Sequence, residues 1–311
     1  MATGRASDDP AKEPGPSGAR VVTAEAAEPP STDAGAVDAS EAEGATGADA
    51  DALADEADTD ARAPLDARLV AWVRAQPATA LLILAMLVWF LVFGTLLWQR
   101  HDRFATFDFD LGHHDQGIWL LAHGKGFITV SGMPVLGHHF TVAYFAVVPL
   151  YWLGGGPQLL NMLQTAALAL SAVPIFLFAR RRLGNDWPAL AFGVAWLLNP
   201  SVQWIAWEAW HPETMAIPFL LSAYLFADRY LEHSRPRDHV LYWAFLIAAL
   251  SWKEDIALAV LVLGLVFIVR RHRRLGLLTI AVGAVWFVVA YGVVMPHFNG
   301  GTNHAGFFYG E

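Results

Sequence analysis

The sequence predicts an all-α fold: a polytopic helical membrane protein of about seven transmembrane helices, with short helices lying against its outer face. Three observations carry that expectation. Apolar residues make up 55% of the 311. They gather into blocks that approach or exceed the roughly 17 to 20 residues a helix needs to cross a bilayer. The arginines collect in three short connections between those blocks, and Lys and Arg near span ends mark cytoplasmic loops.

Residues 1–66 differ in kind from the rest. They hold 16 Asp and Glu against 4 Lys and Arg, so a chain of net charge −9 carries −12 in this stretch and +3 in the remainder. The stretch has no aromatic residue and is built from Ala, Gly, Pro, Ser, Thr, Asp and Glu. Such a composition cannot bury enough apolar surface to offset the entropy of ordering, so a disordered acidic tail is expected. No apolar core precedes the first span, so it is not a signal peptide. With no cysteine, disulfides and thiolate metal sites are excluded. The expected organisation is a cytoplasmic tail, 1–66, and a membrane domain, 67–311.

The first span is ALLILAMLVWFLVFGTLLW, Ala80 to Trp98. Six more blocks follow, at about Leu159 to Ala179, Trp187 to Ile205, Thr214 to Leu231, Val240 to Trp252, Ile256 to Val269 and Leu275 to Pro296. The basic connections ARRRLG (Ala179 to Gly184), DRYLEHSRPRDH (Asp228 to His239) and RRHRRLG (Arg270 to Gly276) are then all cytoplasmic, as is the N-terminus. This constrains FTVAYFAVVPLYWL, Phe140 to Leu153. If that block crossed, Arg180, Arg181 and Arg182 would lie outside. It is short, contains Pro149 and is followed by Gly-Gly-Gly-Pro, so it is expected to be a re-entrant or interfacial helix on the outer face.

With this topology the polar motifs fall on the outer side: FDFDLGHHDQGIW (Phe107 to Trp119), GHHF (Gly137 to Phe140), WEAWHPE (Trp207 to Glu213), WKED (Trp252 to Asp255) and PHFNGGTNH (Pro296 to His304). Nine of the twelve histidines fall on that side, seven of them in these motifs. Reactive groups on one face of a membrane protein suggest a site there. A helix over Leu111 to His123 would put Leu111, Ile118, Trp119, Leu121 and Ala122 on one face, with His113, Gln116 and His123 pointing away. Asp115 and His114 then fall on the apolar face. A carboxylate buried there must be paired or have a raised pKa, which is what a general base or proton relay uses. Asp110 reads as the N-cap of the same helix, and Asp115 has a structural reading too, as the partner of an inward-facing Lys or His.

The remaining motifs have two readings each. In WHPE, Pro212 suits a first helical turn and Glu213 complements its positive end, while His211 sits at the surface beside two tryptophans. Lys253, Glu254 and Asp255 lie between apolar blocks with no spacer, where they can neutralise one another. Alternatively, Lys253 can meet a lipid phosphate as a point charge. The doublets His113–His114 and His138–His139 lack tight metal-ligand spacing, so no metal ligands are assigned.

An acidic motif after the first span, an aromatic surface segment containing proline, a span ending in ARRRLG and a charged outer loop together resemble the GT-C superfamily of polyprenyl-phosphate-sugar-dependent glycosyltransferases. More closely, FDLGHHDQGIW, GHHF, WHPETMAIPF and WKEDIAL are similar to uncharacterised predicted membrane proteins, the domain of unknown function numbered two thousand and seventy-nine. The GT-C resemblance implies a GT-C-like fold and a polyprenyl-phosphate-linked sugar donor in the outer leaflet. It also implies an aspartate of the first outer loop as base: Asp115 or Asp110, with Asp108 and Asp110 as the degenerate acidic pair. The leaving phosphate needs positive charge or a divalent metal. Lys253 is the candidate for the charge, and the cofactor stays open. Glu254, Asp255, His139, His211, Glu213 and Gln116 are the further candidate substrate contacts. Such proteins usually continue through more spans, so a chain ending at HAGFFYGE is expected to be a fragment or a truncated relative.

Two alternatives to a glycosyltransferase stand. A proton- or metal-coupled transporter needs polar groups through the membrane, and the spans hold almost none. A non-catalytic membrane scaffold needs only the fold. The bilayer is the expected partner, and no nucleic acid is.

Overall fold

The computed structural model of the chain describes residues 64–106 and 109–301. The expected acidic tail, Asp108 and His304 lie outside the described residues, apart from the last three residues of the tail.

The described chain is helical except for one two-stranded hairpin. Helix α1 (Leu65–Ala75) leads through Gln76 into α2 (Pro77–Asp102). At 26 residues and 1.5 Å per residue, α2 is about 39 Å long, enough to cross a hydrocarbon core of about 30 Å. Its buried residues, Ala78, Leu82, Trp89 and Leu97 among them, form one stripe. Leu84, Leu91 and Val92 stay exposed around the rest. A helix apolar on every side, yet packed along only one, is shaped for lipid. Trp89 fixes the stripe by donating its indole N–H to the Leu197 carbonyl at 2.8 Å.

Next come α3 (Phe109–Ala122), the strands β1 (Phe127–Ile128) and β2 (Met133–Pro134), α4 (Val135–His138) and α5 (Tyr144–Trp152). The strands are antiparallel, with Phe127 opposite Pro134 and Ile128 opposite Met133. Nine residues of α5 make about 14 Å of helix. That is too short for α5 to cross a hydrocarbon core of about 30 Å as a helix.

Helices α6 (Pro157–Leu170) and α7 (Ala172–Leu183) together make a 27-residue apolar run. Helices α8 (Asp186–Leu198) and α9 (Pro200–Trp207) meet at 44°. The bend follows from Pro200, which lacks an N–H and pushes Asn199 to an extended ψ of 125°. The Asn199 side chain accepts from Ser201 N–H at 2.9 Å and restarts the helix. Helices α10 (Pro212–His233) and α11 (Pro236–Leu250) form one hairpin. Helices α12 (Ile256–Val269) and α13 (Arg273–Val289) form another, the second continuing through a π-helical turn, Ala290–Val294, into α14 (Met295–Phe298). A Cβ on Gly264 would stand 2.8 Å from the Gly276 carbonyl oxygen, and one on Gly276 would stand 2.6 Å from that of Gly264. The backbones of α12 and α13 touch there because neither residue has a side chain.

All seven blocks expected to cross are helical, but they differ in length. Three helical runs are long and apolar enough to span: Pro77–Asp102, Pro157–Leu183 and Arg273–Phe298. The bent pair makes a fourth if counted as one span. Helix α10 has the length but carries Asp228 and Arg229 in its last two turns. With 15 and 14 residues, α11 and α12 reach only about 21–23 Å. The chain is a predominantly helical membrane protein with three to four helical runs both long and apolar enough to span among the described residues, fewer than the seven expected.

The three arginine connections come to the same end. Arg182 pairs with Asp228, Arg181 with Glu232, Arg180 with Asp186 at 2.7 Å and Arg229 with Asp238 at 3.1 Å. The polar motifs occupy the other end.

Candidate functional site

The polar end is assembled by folding the chain back on itself. Helix α3 presents His113 and His114, and the β-hairpin returns the chain so that α4 lays His138 and His139 against them. Ring centroids are 3.9 Å apart for His113 and His138, 4.1 Å for His138 and His139, 5.3 Å for His113 and His114, and 6.1 Å for His114 and His139. Gly137 permits the close approach of Asn299 to this turn. A Cβ there would stand 2.1 Å from the Asn299 side-chain oxygen, and Asn299 donates its amide N–H to the Gly137 carbonyl at 2.7 Å. The space among the four rings is too tight for a water molecule. Among the described residues, no group of three His, Asp or Glu side chains is arranged to hold a metal ion.

The wheel expectation for α3 needs correction. His113 does not point away but is 2% exposed, whereas Trp119 is 46% exposed and stacks on His123 at 4.0 Å. Helix α3 is covered on two sides, by the hairpin with α4 and by α5, so no single apolar face describes it. The helix also begins at Phe109, which puts Asp110 in the first turn rather than at the cap.

Burial, with the charge of His139 second, pushes the His113 pKa down to about 4. Burial does the same more strongly to His114, helped by the other imidazoles and Lys253. Both rings are therefore neutral at neutral pH. Burial raises the Tyr144 phenol so far that it stays protonated. Its hydroxyl shares a hydrogen bond of 2.6 Å with His114 Nδ1.

Glu254, 2% exposed, ties this layer to the α11–α12 connection. It accepts from His139 Nδ1 at 2.7 Å and from the Phe140 N–H at 2.9 Å. Burial works against its charge, but the bond and charge of His139 and the backbone donors outweigh it and hold the carboxyl below its ordinary pKa. Lys253 pairs with Glu213 of α10 and lies 3.7 Å from Asp255. Burial alone would lower its pKa, but the Glu213 carboxylate, with Asp255 and Glu254, raises it. Burial raises Asp255, with Lys253 opposing. The KED triplet is thus split: Lys253 and Asp255 pair together with Glu213, and Glu254 turns to the histidines.

Asp115 sits beside this centre, not within it. It accepts from the Tyr151 hydroxyl at 2.7 Å, and burial raises its pKa, partly countered by Tyr151 and the charge of His101. Asp110 lies one turn before His114 on α3, and its charge reaches Tyr144. Gln116 donates to Thr129 of the hairpin at 3.0 Å, so it braces that turn. His211 is held at the start of α10, with its ring bonded to the Ala209 carbonyl at 2.6 Å and its N–H to Gln164 at 2.7 Å.

Sequence reasoning missed Gln164. Buried in α6, it donates to the carbonyls of Ile205 and Glu208 at 2.9 and 3.1 Å and receives Thr214 at 3.2 Å, which anchors the whole WEAWHPE loop. The signal was Asn161, Gln164 and Thr165, polar residues at helical spacing inside an apolar block. Tyr144 and Tyr151 were missed because they read as part of an aromatic membrane segment. Several buried atoms around the centre have no partner among the described residues: both side-chain atoms of Asn161, His113 Nδ1, Glu213 Oε2 and Asp255 Oδ1.

A family described as predicted membrane protein (DUF2079) matches residues 100–310, which include every described residue of this centre. No curated protein and no solved structure matches the chain.

Proposed function

Since the chain belongs to the family of predicted membrane proteins (DUF2079), we propose that it acts at this polar end as a GT-C-type glycosyltransferase, moving a sugar from a polyprenyl-phosphate-linked donor to an acceptor hydroxyl. The observation that carries the reading is the meeting of four separate motifs in one layer. GHHD, GHHF, WHPE and WKED bring four imidazoles, two carboxylates and an ammonium together through His139–Glu254 and Lys253–Glu213. The orphaned carboxylate oxygens beside Lys253, Glu213 Oε2 and Asp255 Oδ1, are groups that a polar ligand would complete. Lys253 would offset the charge of the leaving phosphate, with Glu213, Asp255 and His211 around it. Asp115, with its raised pKa, is the first candidate base, and Asp110 is the second. A groove of about 360 Å³ between α2 and α6, lined by Phe90, Leu91, Gly94 and Met162 and ending at Gln99, would take the isoprenoid chain.

In this reading the seven helical blocks cross a cell membrane, α11 and α12 doing so where their short lengths thin the bilayer. The tail is cytoplasmic and the polar end faces outward. The test is transfer by the full chain in proteoliposomes, supplied with a panel of polyprenyl-phosphate-linked sugars, together with mass spectrometry of envelope glycans from a deletion strain. Loss of one glycan in the strain and consumption of one donor in vitro support the reading. Unchanged glycans with no donor consumed would leave the scaffold role instead.

A further inference from the structure

At the opposite end of α13, some 39 Å from Asn299 by helix rise, lies a cavity of about 440 Å³. Its rim is Arg271, Arg273 and Arg274, and its floor is Leu275 and Leu278. Of the arginines nearby, five have partners. Arg180, Arg181, Arg182 and Arg229 each pair with a carboxylate, and Arg270 donates to the Tyr224 hydroxyl at 2.9 Å. Among the described residues, no carboxylate pairs with Arg271, Arg273 or Arg274. The cavity therefore concentrates three positive charges that no carboxylate among the described residues neutralises.

Two further features shape it. Arg271 stands at φ +68°, a backbone region that favours glycine, yet an arginine occupies it and is turned onto this rim. On the facing wall, His239 stacks on Tyr230 at 4.4 Å and accepts the Trp243 indole N–H on Nε2 at 2.9 Å. A neutral His239 then carries its proton on Nδ1, which makes it a donor on its other edge. The floor does not close. Leu278, 55% exposed, also begins an apolar groove of about 350 Å³ that runs along α13 past Val282 and Val285.

We propose that this cavity binds the headgroup of an anionic phospholipid, with its phosphate among Arg271, Arg273 and Arg274 and an acyl chain laid over Leu278 into the groove. The occupant follows from the combination. A soluble anion would use the charges but not the groove, and a zwitterionic lipid would use the groove but bring its own cation against the arginines. Basic pockets between membrane helices take anionic headgroups for these reasons. The site stands independently of the activity proposed for the other end.

The test uses the full chain in neutral detergent with equimolar phosphatidylglycerol and phosphatidylcholine, and counts retained lipids by native mass spectrometry. Phosphatidylglycerol should be retained in preference, and Arg271→Gln, Arg273→Gln and Arg274→Gln combined should cut that preference at least about tenfold. Arg235→Gln with Arg237→Gln, the same kind of charge change on the neighbouring connection, should leave it intact. Equal retention of both lipids would overturn the proposal, as would an equal loss in the control variant, which would mean diffuse attraction. Release of phosphatidylglycerol by millimolar inorganic phosphate would assign the cavity to a soluble anion and overturn it too. Circular dichroism of each variant confirms that the helices remain.

Discussion

At the scale of single residues, Asp115 allows structure and chemistry to be separated. Asn keeps an oxygen that accepts from Tyr151, so Asp115→Asn retains that contact and sheds a carboxylate that burial disfavours. Its melting temperature should be unchanged or higher, while sugar transfer should fall by about 100-fold or more, because an amide takes no proton at neutral pH. If Asp115→Asn and Asp110→Asn both keep near wild-type rates in a chain that does transfer sugar, neither is the base. His113 gives a second prediction through pH. Its folded pKa is lowered to about 4 from 6.5, so below pH 6.5 the unfolded chain binds the extra proton. The stability it contributes is present above 6.5 and is lost as the pH falls toward 4, on the order of 2 kcal/mol. Melting temperature should drop over that range, and less so in His113→Phe, which cannot protonate and gives up no hydrogen bond at the unpartnered Nδ1. At this scale the sequence yields the charged motifs and the cost of their burial, but not their pairing. Nothing in WKED shows that Glu254 turns to His139 while Lys253 turns to Glu213, since both choices depend on contacts more than 35 residues away.

At the scale of elements, the closest contact is the crossing of α12 and α13 at Gly264 and Gly276. A leucine at Gly276 meets the Gly264 carbonyl and Ile268, so the helices must part. Overpacking of this kind costs about 1–3 kcal/mol, and Gly276→Leu should lower the midpoint of thermal unfolding in detergent accordingly. Gly112, which also lies in a helix, has nothing within 4 Å of its would-be Cβ. Gly112→Ala should stabilise the fold by about 0.5–1 kcal/mol through helix propensity alone, and raise the midpoint with it. Equal effects at the two glycines would mean that α12 and α13 are not in contact. Helix positions were legible from the apolar blocks, but Trp187 to Ile205 read as one straight span and the bend that Pro200 makes at Asn199 was not anticipated. The orientation of α3 was not, because a wheel assumes one partner surface and this helix has two. Span number was legible only in part, since α11 and α12 are apolar enough to read as crossings but shorter than a bilayer core.

At the scale of the whole molecule, charge divides the chain into two ends. The basic connections meet through Arg181–Glu232 and Arg182–Asp228, and the polar motifs meet through His139–Glu254 and Lys253–Glu213. The positive-inside bias predicts that the arginine end lies in the cytoplasm. Because the chain has no cysteine, single cysteines report sidedness cleanly against an impermeant thiol reagent in intact cells. Lys125→Cys and Gly156→Cys flank α5 and avoid the packed positions at Gly137 and Gly155, and both should be labelled from outside. Arg181→Cys should be labelled only after permeabilisation. Labelling of Lys125→Cys without Gly156→Cys would mean that the segment between them crosses, against the nine-residue length of its helix. Labelling of Arg181→Cys alone would invert the molecule. A base and an ammonium facing the cytoplasm would then need a donor presented in the inner leaflet, and the outward-facing transfer proposed for the polar end would fall while its geometry stood.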